Sequence, residues 1–110
     1  MWKNMPTKED EKFFKQQLAD LGFKADQTAR YVEGLIHYMY ATGLYAELNK
    51  DRSAIMAAAL LYAKRAGKHI PLDENKITAR YHIDIAAVDK AISNVDGKFA
   101  DDFISGRIKI

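Results

Sequence analysis

The chain has 110 residues, and 17 lysines and arginines against 15 aspartates and glutamates give a formal charge of +2, too mild to announce a nucleic-acid partner by itself. With 48% hydrophobic and 29% charged residues it reads as one folded domain, burying ~65% of its unfolded surface, and not as a disordered segment. Cysteine is absent, which excludes disulfide scaffolds, zinc ribbons and thiol catalysis.

Helical periodicity dominates between the two prolines, Pro6 and Pro71. Thr7 with Asp10 three residues on resembles a capping box, and predicts a first helix to about Leu21 with Phe14, Leu18 and Leu21 on one stripe before Gly22. Asp26 is the expected N-cap of a second helix, in which Val32, Leu35, Ile36, Met39, Tyr40 and Gly43 recur at spacings of three and four. Gly34 inside it weakens the helix by ~1 kcal/mol relative to alanine. That glycine implies either a neighbouring helix in close approach, the simpler reading, or a ligand against the backbone.

Residues 44–52 read as a connector. A third helix follows over about 53–66, whose first ten residues are apolar on nearly every face. The longest uncharged apolar run, residues 53–63, spans 11 positions, short of the roughly 20 that cross a bilayer. A helix that is apolar all round yet this short belongs at the centre of a bundle. Ala57-Ala58-Ala59 gives it a thin waist. Asp73 predicts a short fourth helix over 74–81, and Asp84 caps a fifth with Ile85, Val88, Ile92 and Val95 at spacings of three and four. Phe99 and Phe103 fit a short sixth helix, and residues 107–110 alternate like a strand fragment or a frayed tail. The organisation expected is an N-terminal tail over 1–6, an all-α domain over 7–96 and a C-terminal extension over 97–110. No apolar stretch near the start resembles a signal peptide, so a soluble intracellular protein of cytoplasm or nucleus is expected.

Catalytic signatures are missing. The glycines at 22, 34, 43, 67, 97 and 106 form neither a dinucleotide fingerprint nor a phosphate loop. His37, His69 and His82 lack metal-ligand spacing, and no serine or threonine lies in a nucleophile-elbow pattern. The pair Asp73-Glu74 is explained by helix capping. The expectation is a non-enzyme with no cofactor and no metal.

The order of elements, the stretch Ala57-Ala-Ala-Leu-Leu-Tyr-Ala63, the basic turn Lys64-Arg-Ala-Gly-Lys-His-Ile-Pro71 and the pattern Ile77-Thr-Ala-Arg-Tyr-His-Ile-Asp84 followed by Val88 and Ile92 resemble a cyclin box. The similarity spans residues 12–95 and is nearest to a single repeat of the transcription factor IIB core. It implies a five-helix cyclin-like bundle around the alanine-rich third helix, promoter DNA binding through a helix-turn-helix of helices 4 and 5, and docking onto polymerase or other regulators. Family members carry two such repeats and usually a zinc ribbon. This chain has length for one repeat and no cysteine for the ribbon. In kinase-partner cyclins the resemblance implies a basic residue on the third helix, for which Lys64 stands, and an acid on the fifth, Asp84 or Asp89.

Each implied role meets its own residues. Residues 84–102 hold five acids against two lysines, a charge of −3, which repels the phosphates that supply most DNA affinity. His82 stands where the family's turn commonly has glycine. Against this, Lys64, Arg65, Lys68 and His69 cluster with no acid between them, and with Arg80 and Lys90 they make a candidate surface for duplex DNA. The same cluster is what helix-dipole compensation and a solvated face produce. For a protein partner, the candidates are Tyr31, Tyr38 and Tyr45 with Ile85, Phe99 and Phe103, since aromatics concentrate at interface centres. A single repeat also leaves bare the face its usual twin covers, so a homodimer or a partner domain on that face is a further expectation. The function expected is a transcription-associated adaptor that binds a protein and, weakly, DNA, with a sequence-reading DNA-binding factor as the competing class.

Overall fold

Short polar side chains fix where most helices of this chain begin. The computed structural model describes residues 5–23, 27–48 and 50–106, and among these it has seven helices and no strand: α1 (Lys8–Asp20), α2 (Gln27–Ala41), α3 (Leu44–Glu47), α4 (Arg52–Arg65), α5 (Glu74–Tyr81), α6 (Ile85–Ile92) and α7 (Gly97–Ile104). Five of them open on a side-chain oxygen that accepts from an otherwise orphaned amide of the first turn: Thr7, Asp51, Asp73, Asp84 and Asp96. The capping box of α1 is half-formed. Thr7 accepts from the Asp10 amide at 3.1 Å, but the Asp10 carboxylate turns away, accepting from the Tyr40 hydroxyl at 3.1 Å and lying 3.5 Å from Nη1 of Arg52. The residue expected to be one half of a local cap therefore ties α1 to α2 and α4. The expected cap Asp26 and the alternating end over 107–110 lie outside the described residues.

The core is built around α4. Ala54 through Leu61 and Ala63 are all buried, with α2, α5 and α6 packed against them. The alanines keep the rod thin enough for several helices to share it, while Ile55, Met56, Leu60 and Leu61 fill the space between. α2 supplies Val32, Leu35, Ile36 and Met39, and Phe14 and Leu18 close the layer from α1. The radius of gyration is 12.7 Å, close to the ~13 Å of a single globular unit of this length.

Two expectations are corrected, and a third holds. The connector over 44–52 contains a helical turn, α3, entered through Gly43 in the left-handed region at φ 87° and anchored by buried Leu44 and Leu48. The predicted third, fourth and fifth helices are thus α4, α5 and α6. The segment from residue 97 is no appendage as far as it is described. α7 packs along α2, buries Ala100 completely and sets Phe99 and Phe103 against Tyr38. Gly34 is the contact point, since a Cβ there would sit 2.9 Å from Cγ1 of Ile104. Close helix approach, not a ligand, explains this glycine.

The α5–α6 turn forms without glycine. His82 takes φ 52°, ψ 47°, a left-handed conformation that costs an ordinary residue about 1–2 kcal/mol and that histidine visits more readily than most.

Candidate functional site

Arg65 ends α4 facing two acids from later helices. Its Nε and Nη2 donate to the Glu74 carboxylate at 3.1 and 2.8 Å, and its Nη1 lies 2.7 Å from Oδ1 of Asp89. These bonds hold the guanidinium in its charged form and pull the Glu74 pKa below its ordinary value. All three outer nitrogens of the fork are engaged, so Arg65 clamps α4 to α5 and α6. Of the two acids nominated on α6, Asp84 caps the helix and Asp89 faces Arg65.

Arg80 leaves the cationic cluster altogether. Its Nε and Nη2 donate to Oε1 of Gln17 at 3.4 and 3.2 Å, Nη2 lies 4.0 Å from Asp20, and the Tyr81 hydroxyl donates to the same Gln17 oxygen at 2.8 Å. It therefore joins α5 to α1. Lys68 lies 4.7 Å from the centre of the Tyr31 ring, a cation–π arrangement. Tyr31 is half-buried, and burial first, then Tyr62 and Asp101, push its pKa up to about 12, so its hydroxyl keeps its proton. Lys64 is half-buried, while His69 and Lys90 are exposed. The six basic residues do not share one uncommitted face.

The aromatic candidates divide as well. Tyr38 is buried, its ring 5.8 Å from Phe99 and 6.0 Å from Phe103. Desolvation raises its pKa, with a hydrogen bond from the Asp96 backbone working the other way. Tyr38, nominated for a protein interface, is thus a core residue because α7 covers it. Phe99 and Phe103 are half-buried on the inner side of that cover. Tyr45 stacks on Tyr40 at 4.1 Å. Ile85, 36% exposed, is the one candidate that stands out in solvent as expected.

A further concavity lies elsewhere. A cleft of about 600 Å³ opens between the turn joining α3 to α4 on one side and the α5–α6 turn with α6 on the other. Its floor is apolar, made by Leu48, Ala54, Val88 and Ala91, all buried. Three carboxylates border it: Glu47, Asp51 and Asp84. Of the residues the sequence nominated, Lys90 and Asp84, the latter read both as a cap and as a candidate contact acid, line this cleft. Glu47 and Asp51 lay in the stretch read as a connector. Nothing in periodicity reports that two turns distant in the chain meet across a groove.

Among the described residues no cluster of histidine and carboxylate side chains is placed to hold a metal ion, and no helix is long and apolar enough to cross a membrane. Comparison of the chain with protein-family models, curated proteins and solved structures finds no match.

Proposed function

We propose that this chain is a non-enzymatic, transcription-associated adaptor built on one cyclin-box-like repeat resembling the transcription factor IIB core, and that it acts by binding a protein partner. The cyclin-like reading is supported by the buried alanine-rich α4, wrapped by α2, α5 and α6, and by the tight α5–α6 pair that follows it. The observation that favours a protein over DNA is the fate of the cations. Arg65 is closed on Glu74 and Asp89, and Arg80 is held by Gln17. Free basic groups facing one way are what phosphate binding requires. α6, which a helix-turn-helix would lay in the major groove, begins at an aspartate cap and carries Ala86 and Ala87 exposed beside Ile85.

Affinity capture with the intact chain from its native host, followed by mass spectrometry, tests the proposal. Recovery of polymerase subunits, general transcription factors or a regulatory kinase is expected, and recovery of none of these overturns it. A parallel titration with duplex DNA at decreasing salt is expected to show no saturable binding. Tight, salt-dependent binding would instead establish the DNA-binding class.

A further inference from the structure

We infer that the cleft between the α3–α4 turn and α6 is the docking groove for a short partner segment that carries apolar side chains flanked by lysines or arginines. This deepens the adaptor reading and rests on it. The floor is Leu48, Ala54, Val88 and Ala91, small or aliphatic groups that leave room for a few intruding side chains and offer them a surface to exclude water. At about 600 Å³ the space lies within the ordinary range of binding clefts.

Charge decides the occupant. Glu47, Asp51 and Asp84 face one lysine, Lys90, and the imidazole of His82, formally neutral at pH 7, around the rim. Asp51 and Asp84 also cap α4 and α6, whose N-termini each contribute about half a positive charge. Subtracting both still leaves the rim negative by about one charge. Each cap bond uses a single carboxylate oxygen, accepting from Ser53 and Ala86 at 2.9 and 3.0 Å. Glu47 forms no ion pair among the described residues and lies exposed. A basic segment is attracted to such a rim and an acidic one is repelled. Nucleic acid is repelled for the same reason. Ala87 is exposed on α6 and lines the cleft.

The test uses the intact chain and two fluorescein-labelled amphipathic peptides that differ only in charge, one of leucine and lysine, the other of leucine and glutamate. The leucine–lysine peptide is expected to bind, with amide shifts in nuclear magnetic resonance spectra confined to the α3–α4 turn, the α5–α6 turn and α6. Glu47→Lys, which reverses a rim charge, and Ala87→Trp, which fills the groove from a solvent-facing helix position, are each expected to weaken binding roughly tenfold. Asp101→Lys makes the same charge change at an exposed position of α7 and is expected to leave binding unaltered. Equal affinity across the variants, equal affinity for the two peptides, or shifts mapping to another face overturns the inference. So does self-association of the wild-type chain in light scattering that Glu47→Lys abolishes, since the occupant is then a second copy. Should Ala87→Trp not fold by circular dichroism, Glu47→Lys and the shift map decide. Captured transcription proteins that remain bound to Glu47→Lys refute the groove and leave the adaptor reading standing. Groove-specific peptide binding with no such proteins captured does the reverse.

Discussion

Gly34 shows how one missing carbon sets the distance between two helices. In most helix interiors a Gly→Ala substitution gains about 1 kcal/mol. Here the added Cβ would meet Cγ1 and Cγ2 of Ile104 at 2.9 and 3.0 Å, and Cβ of the same residue at 3.3 Å. These atoms are the base of a β-branched side chain, which has few rotamers to retreat into. Overpacking of this kind costs typically 1–3 kcal/mol, so the clash outweighs the helix gain. Gly34→Ala is expected to lower stability in urea by about 1 kcal/mol, and Gly34→Ala combined with Ile104→Ala to fall short of the sum of the two single losses. Strict additivity of the two substitutions would show that Ile104 does not press on this site.

At the scale of elements, the Arg65 clamp joins three helices through one side chain. Surface ion pairs contribute little, about 0–1 kcal/mol, but Asp89 Oδ1 is buried and has Arg65 as its charge partner. Stranding that oxygen costs about 1–3 kcal/mol. Arg65→Met, which keeps most of the stem, is therefore expected to destabilise by about 1–2 kcal/mol at neutral pH. The pH dependence follows from Glu74, whose pKa is lowered from 4.5 by Arg65. A depressed carboxylate stabilises fully above its unfolded pKa and loses that contribution as pH falls through the folded one. The wild-type advantage over Arg65→Met is thus expected to be flat above about pH 5 and to shrink below it. A gap that widened on acidification would refute the assignment.

Elements whose boundaries depend on a local side chain were legible from the sequence. Thr7, Asp73 and Asp84 begin helices because a cap bond needs only neighbours two or three residues away. α4 was legible as central because an apolar run that short has nowhere else to go. Elements created by tertiary contact were not. α3 is four residues long, too short for a period to register, and exists because Leu44 and Leu48 are drawn into the core. Tyr38 looked like surface because its concealment comes from α7, more than fifty residues later. The same holds for the cations. Their clustering in sequence was real, but their partners Gln17, Glu74 and Asp89 come from three other helices.

Across the whole molecule, α7 counts as part of the fold. It covers Gly34 and Tyr38, buries Ala100 and contributes two aromatic rings to the α2 face. A chain ending at residue 96 would match the domain read from sequence, yet it would bare this surface. Uncovering an aromatic and aliphatic face of this size is a large fraction of a marginal stability. The truncated chain is expected to bind a hydrophobic dye such as ANS and to lose its cooperative urea transition. A sharp transition with an unchanged midpoint would return α7 to the status of an appendage.

The buried rod has a kinetic consequence. Because α4 has neighbours on nearly every side, no partial opening frees its peptide groups while the rest of the chain stays assembled. Local fluctuations release frayed ends and covering segments first. In deuterium-labelling experiments the amides of residues 55–63 should therefore be the last to lose their protons, at a rate set by complete unfolding alone. Loss of those protons ahead of the ones in α2 would mean that this rod is not the last part of the protein to give way.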